Sequence, residues 1–210
     1  ELTVKNYGDD LRSFEKFFRD LKNPVSWESV DLDVVRNWME RMMDEGNNAA
    51  SINRRLSALR SFYRFALSRS LVGGDPVYAI KGPKKAKPLP QFLKEKEMEE
   101  LLRPEMWQHT FKEILVRTMI IVFYETGVRV SELVGLDDTS IDFGRKEMKV
   151  TGKRNKQRVI PFGEEMTCVL QEYMAQRDKN VKNTSGALFC LENGQRISVP
   201  QVRYEVKKHL

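Results

Sequence analysis

Two short strings in this 210-residue chain combine residue types able to act on a phosphate group. The first is Thr126-Gly127-Val128-Arg129-Val130-Ser131-Glu132-Leu133. A strongly apolar segment ends at Gly127 and a new helical pattern opens near Ser131, so Arg129 falls where one helix stops and another starts. A planar guanidinium beside a helix N-terminus suits a single phosphate, and Glu132, three residues on, is close enough to orient Arg129. An inter-helix salt bridge explains the same pair. The second string is Gly152-Lys153-Arg154-Asn155-Lys156-Gln157-Arg158, between two segments rich in β-branched residues. A turn at that place would carry Lys153, Arg154 and Lys156 at its tip. It could deliver one ammonium into a nucleic-acid groove, and Lys, unlike Arg, can give up a proton. A solubilising turn is the plain alternative.

Other chemistries find little support. There is no G-x-x-x-x-G-K-[ST], G-x-G-x-x-G or G-x-S-x-G string. His109 and His209 lack metal-ligand spacing, and Cys168 and Cys190 form no C-x-x-C pair. No metal, cofactor or disulfide framework is therefore expected, and a reducing cytoplasm is the default compartment. No stretch approaches the ~20 apolar residues of a membrane-spanning helix, so no membrane partner is expected.

The net charge of +6 and a pI near 9.3 point to a polyanionic partner, and the excess is local. Residues 1–50 hold seven Lys/Arg against eleven Asp/Glu, whereas residues 51–70 hold five Arg and no acid. The segment KGPKKAKPLP adds Lys81, Lys84, Lys85 and Lys87, and Gly144–Arg158 adds seven basic residues against one Glu. Such clusters track phosphates through counterion release.

The elements that must position these groups follow from apolar spacing. Val4, Tyr7, Leu11, Phe14, Phe18 and Leu21 mark a first helix, with Thr3 as a candidate cap. Asp31 would cap a second through Val34, Val35, Trp38, Met39 and Met42, closed by Gly46. Ser51 would open a third with Ile52, Leu56, Leu59, Tyr63 and Ala66 on its core side. Arg54, Ser57, Ser61, Arg64 and Ser68 gather opposite, a face suited to a DNA backbone or simply to water. Residues 71–90, with three Gly and four Pro, form the expected boundary. Beyond it, helices are expected over 94–103, 111–126 and 164–177, with a short one from Ser131 and a last one from Ser198. Segments near 141–143, 147–151 and 158–162 read as a three-stranded antiparallel meander. A brief strand is expected at Ala187–Cys190.

The stretch YETGVRVSELVGLDDTSIDFGRKEMKVTGKRNKQRVIPFG, with INRRLSALRSFYRFAL and GDPVYAIKGPK before it, resembles the tyrosine recombinases of the phage-integrase family, closest to the Xer branch. The resemblance covers nearly the whole chain. It implies a mainly α protein of two domains: an all-α, SAM-like core-binding domain at 1–75, a basic linker at 76–92, and an α+β catalytic domain at 93–210 with a small three-stranded antiparallel sheet. It implies a clamp around duplex DNA, strand cleavage through a 3′-phosphotyrosyl link without metal or ATP, and exchange through a Holliday junction. The partners implied are a double-stranded DNA target site and further protomers in a homo- or hetero-tetramer. An accessory DNA translocase is a further candidate.

Carried over by position, Arg129 matches the first catalytic arginine, Lys153 the hairpin lysine that protonates the leaving 5′-oxygen, and Glu132 the acid that supports the arginine. DNA contacts are expected from Arg54, Arg55, Ser57, Arg60, Arg64, Lys84, Lys85, Lys87, Arg154, Lys156 and Arg158. The family's H-x-L-R-H box, a later His or Trp, and the nucleophilic tyrosine belong after VPQVRYEVKKHL, and Tyr204 precedes that box. The expectation is thus a C-terminally shortened recombinase, clipped also at its start. The native protein would be an enzyme, and these 210 residues alone would bind DNA without cutting it. A non-catalytic DNA-binding fragment or regulator on the same fold is the alternative. Chromosome dimer resolution and mobile-element integration or excision both fit.

Overall fold

The computed structural model describes residues 2–86, 89, 92–182 and 185–210. Lys87, expected among the DNA contacts, lies outside the described residues. The chain divides into two compact units, Glu1–Pro90 and Gln91–Leu210.

The first unit is built on three helices, α1 (Leu2–Arg19), α2 (Leu32–Asp44) and α3 (Ala49–Ser68). Thr3 lies inside α1 rather than capping it, and the stripe of α1 is not uniformly buried: Val4 is exposed, while Phe14 and Phe18 are fully enclosed. Aromatic rings fill the centre, with Phe14 4.8 Å from Trp38 and Trp27 4.4 Å from Phe62 between ring centroids. Asp31 caps α2 by accepting from the Val34 amide at 2.9 Å. The cap of α3 is Asn48, which accepts from the Ser51 amide at 2.8 Å, so Ser51 is inside the helix. Ile52, Leu56, Leu59, Tyr63 and Ala66 are all buried. The Tyr63 hydroxyl donates to the Trp27 carbonyl at 3.1 Å, and burial pushes its pKa up.

Part of the Gly/Pro-rich stretch belongs to this core. Val77 and Ile80 are buried in it. The Arg60 guanidinium donates to the Ile80 carbonyl at 2.7 Å, and the Asn53 amide donates to the Pro83 carbonyl at 2.8 Å. A Cβ on Gly82 would fall 2.2 Å from the Asn53 side-chain oxygen, so glycine is what lets this strap lie against α3.

The second unit surrounds a helix that is apolar on most sides, α5 (Phe111–Thr126). Leu115, Val116, Met119, Ile120, Ile121 and Val122 are all buried, as a core helix requires. Around it stand α4 (Glu95–Leu102), α6 (Val130–Val134), α7 (Glu164–Asn180) and α8 (Val199–His209). Strands β1 (Ile141–Asp142), β2 (Glu147–Thr151) and β3 (Gln157–Pro161) form an antiparallel sheet in the order β1-β2-β3, with Ile141 opposite Met148 and Thr151 opposite Gln157. Met148 and Val150 of β2 face the core, and Lys149 and Thr151 face out. The mainly α architecture and the three-stranded sheet are those expected.

Ala187–Cys190, expected as a strand, makes two isolated bridges instead, Asp137 with Ala187 and Cys190 with Arg196. Its apolar run is buried against α7, where the Tyr173 hydroxyl donates to the Leu188 carbonyl at 3.0 Å. Arg177 is buried in the same region. It donates to both Asp138 oxygens at 2.6 and 3.0 Å, to Asp178, and to the Ala187 and Leu188 carbonyls at 3.1 and 3.0 Å. No helix among the described residues is long and apolar enough to cross a membrane.

Candidate active site and nucleic-acid interface

The first half of the site is made where α5 stops. Gly127 closes α5 in the left-handed conformation (φ +60°), which an L side chain resists. The buried Val128 anchors the next residue, so Arg129 leaves the core in extended backbone (φ −74°, ψ 152°) as the N-cap of α6. Glu132 folds back on it. Its Oε2 accepts from the Arg129 amide at 2.8 Å, the reciprocal half of a capping box, and its Oε1 accepts from Arg129 Nη1 at 2.8 Å. Of the helix N-terminus expected here, the Arg129 amide is thereby taken. α6 has only five residues, too few for an appreciable macrodipole, and the Arg129 amide is already occupied.

The second half comes from the β2–β3 hairpin. Its five-residue loop runs from Gly152 to Lys156 and is closed by the Gly152 amide donating to the Lys156 carbonyl at 2.7 Å. Arg154 and Asn155 take the left-handed conformation (φ 61° and 57°), so the turn bends without glycine at its apex. Lys153, Arg154 and Lys156 are all exposed and have no ion-pair partner among the described residues.

The two halves meet at Glu132. Its carboxylate accepts from Arg158 Nη1 at 2.8 Å and from Arg158 Nη2 at 2.9 Å, an end-on bidentate fork. The Glu132 side chain is 1% exposed, against 73% for Arg129 and 41% for Arg158. The Arg158 fork, then the Arg129 amide and guanidinium, hold the carboxyl down to about 2 despite its burial. Arg129 and Arg158 line an open cleft of 870 Å³ with Ser131, Gly152, Lys153 and Lys156. Four cations against one carboxylate leave this cleft strongly positive. Arg129 Nε and Nη2 carry no partner among the described residues, so two parallel donors remain for an anion. Arg158, placed among DNA contacts by its charge alone, spends both terminal nitrogens on Glu132. That pairing spans 26 residues, and no local spacing shows it.

The first unit holds a separate set of basic groups. Arg54 and Arg55 both reach the buried Asp10, Arg54 by a close ion pair and Arg55 Nε at 3.8 Å. Ser57 donates to the Asn53 carbonyl at 2.8 Å, and Arg60 is engaged with Ile80. Arg64, Lys84 and Lys85 are exposed and unpaired among the described residues. The basic face is thus partly internal bonding, with Arg64 and the two lysines open to solvent. Among the described residues, no group of three or more His, Cys, Asp or Glu could hold a metal ion. Cys190 is buried, and Cys168 is exposed.

The second unit thus carries an open basic cleft lined by Arg129, Lys153, Lys156 and Arg158, and the first unit carries the exposed cations Arg64, Lys84 and Lys85. Residues 1–70 match the family description "Phage integrase, N-terminal SAM-like domain", and residues 91–210 match "Phage integrase family". The chain belongs to the phage integrase family. It is 34% identical over 209 residues to tyrosine recombinase XerC of Mycobacterium tuberculosis, covering 97% of this chain and 70% of that protein. Against tyrosine recombinase XerD of Oceanobacillus iheyensis it is 29% identical, covering 93% of this chain and 66% of the relative. The chain thus spans about two thirds of the length of the curated relatives it matches. Among solved structures, the Tn1549 transposon integrase in complex with transposon right end DNA matches all of this chain and 73% of its own, at 20% identity and a TM-score of 0.79. A lambda integrase tetramer bound to a Holliday junction matches at 15% identity and a TM-score of 0.72, covering 100% of this chain and 57% of that one. These structural likenesses establish the fold.

Proposed function

We propose that this chain forms the DNA-binding and phosphate-activating body of a site-specific tyrosine recombinase of Xer type. The carrying observation is the cleft in which Glu132 gathers Arg129 and the base of the Lys153 hairpin. A scissile phosphate would take the two open donors of Arg129, which stabilise the charge that grows on its equatorial oxygens. A tyrosine hydroxyl gives its proton to water as its oxygen attacks phosphorus, and the bond to the 5′-oxygen breaks. Lys153 gives that 5′-oxygen its proton, and takes it back when the 5′-hydroxyl attacks the phosphotyrosyl link to rejoin the strand. On rejoining, water returns a proton to the departing tyrosine oxygen. No metal or nucleotide enters this sequence of steps. The attacking hydroxyl is assigned to none of the residues described, Tyr204 included.

The domain limits that accompany this reading are 1–75 for core binding and 93–210 for catalysis, joined by the basic segment. Arg64, Lys84 and Lys85 are the exposed phosphate contacts of the first unit. Arg54 and Arg55 act from their Asp10 support, and Ser57 and Arg60 lie on the same helix. Arg154 and Lys156 flank Lys153 on the hairpin. The relatives named as XerC and XerD, and integrases solved with DNA and as a tetramer, support a duplex target and assembly of several protomers. Chromosome dimer resolution with a DNA translocase, and integration or excision of a mobile element, are the two roles this chemistry serves. The test is trapping of the whole protein on a nicked duplex of the target site, read as a covalent protein–DNA adduct by denaturing electrophoresis. An adduct that fails to form while the site is bound would favour a non-catalytic DNA-binding role.

A further inference from the structure

We propose that Arg158 is a positioning residue: it latches the β2–β3 hairpin, and with it Lys153, onto the same Glu132 carboxylate that holds Arg129. The proposal rests on the recombinase reading for its catalytic consequence, and on geometry alone for the latch. Three observations carry it.

The turn has no support of its own. Among the described residues, Lys153, Arg154, Asn155 and Lys156 make no side-chain bond to the rest of the unit. Only the Gly152–Lys156 and Lys156–Lys153 backbone bonds, at 2.7 and 3.4 Å, close the loop. Where the lysine head points must therefore be set at the base of the hairpin. That base is fixed to Glu132 twice, by the Arg158 fork at 2.8 and 2.9 Å and by the close approach of Gly152. A Cβ on Gly152 would lie 2.8 Å from Glu132 Oε1, so the backbone rests directly on the carboxylate.

The third observation is charge. Glu132 is buried, and a buried carboxylate must be neutralised. Arg158 supplies that neutralisation bidentately, so Arg129 contributes one nitrogen to Glu132 and keeps the rest of its fork for a ligand. Without Arg158, the carboxylate would draw Arg129 inward to its second oxygen as well. Arg158 thus serves both halves of the site: it holds the hairpin that presents Lys153, and it frees Arg129. Its own phosphate contact, expected from its charge, would be limited to Nε.

The experiment has two arms. In the first, the 210-residue chain carrying Arg158→Ala or Arg158→Lys is compared with wild type by 15N relaxation at the Lys153 and Arg154 amides. The loss of the fork should raise fast hairpin motion in Arg158→Ala, with only partial recovery in Arg158→Lys, because an ammonium cannot grip both oxygens. In the second arm, the whole recombinase is assayed for single-turnover cleavage and for site affinity. Arg158→Ala should slow cleavage on the order of 10²-fold, the scale of a small misplacement of a reacting group, with affinity almost unchanged. Arg158→Ala combined with Lys153→Ala should be slower than Lys153→Ala by far less than the factor Arg158→Ala costs the wild type.

Unchanged hairpin motion would overturn the latch. So would equal losses of affinity and cleavage, which mark an ordinary phosphate contact, or full rescue by Arg158→Lys. If the wild-type protein forms no covalent adduct, the recombinase reading fails by itself, and the relaxation arm still decides whether Arg158 holds the hairpin.

Discussion

Substituting Glu132 with Gln should make the stability of the second unit lose part of its dependence on pH. The Glu132 carboxyl sits at about 2 in the folded protein, held there first by Arg158 and then by Arg129. An unfolded glutamate titrates near ~4.3, and each unit of difference is worth ~1.36 kcal/mol, giving at most ~3 kcal/mol. Arg129 and Arg158 both reach into solvent, which screens the interaction, so about 1–2 kcal/mol is the expected contribution. A lowered carboxyl pKa stabilises the fold above the unfolded value, and that stabilisation disappears as pH falls through the folded value. The difference between wild type and Glu132→Gln should therefore hold steady from pH 7 to about 5, shrink below about 4, and vanish near pH 2. Native-state hydrogen exchange at α5 amides reads this unit alone, and a constant offset would report lost packing. A difference that stays flat from pH 7 to pH 2.5 would refute the account of Glu132 as a charged hub.

Three further outcomes are expected. Gly152→Ala drives a methyl against Glu132 Oε1, so it should destabilise the second unit by about 1–3 kcal/mol in denaturant melts. It should also slow cleavage more than binding. Arg54→Ala with Arg64→Ala should weaken duplex binding and lower the slope of log affinity against log salt by about one unit for each phosphate no longer neutralised. Because Arg54 is tied to Asp10, the slope in fluorescence anisotropy should change more for Arg64→Ala than for Arg54→Ala. Arg177→Met takes from the Asp138 carboxylate the buried guanidinium that both its oxygens accept from, and should cost about 1–3 kcal/mol by thermal unfolding.

Much of the fold is legible in the sequence because periodicity reports burial. The core side of α3 and the apolar run of α5 stand out in the chain as regularly spaced apolar side chains, and those side chains are the buried ones. The β2–β3 hairpin is legible from its β-branched flanks, although its turn uses Arg154 and Asn155, not glycine, for the left-handed bend. Asn48 is hidden as a cap because Ser51, also a good cap residue, stands nearer the apolar stripe. Ala187–Cys190 reads as a strand because buried apolar runs look alike, yet its hydrogen bonds go to single bridges and to side chains. The strap from Val77 to Pro83 is masked by its Gly/Pro content, which signals a loop and says nothing about where that loop lies.

In the candidate site, Arg129 and Glu132 are neighbours in sequence, so their pairing can be read directly. The role of Arg158 cannot. Charge clustering sorts a basic residue with its neighbours, whereas its partner is chosen by the strand register that carries it back beneath α6. The same holds for Arg60, grouped with the DNA contacts by its charge, whose Nη2 donates to the Ile80 carbonyl across 20 residues.

The most direct test of the central claim is to incubate the whole protein with a nicked target duplex and compare wild type with Lys153→Ala. Wild type should give a covalent protein–DNA adduct, formed about 10²- to 10⁴-fold more slowly by Lys153→Ala at nearly unchanged affinity. Adduct formation at the wild-type rate in Lys153→Ala, or binding and cleavage lost together, would contradict that claim.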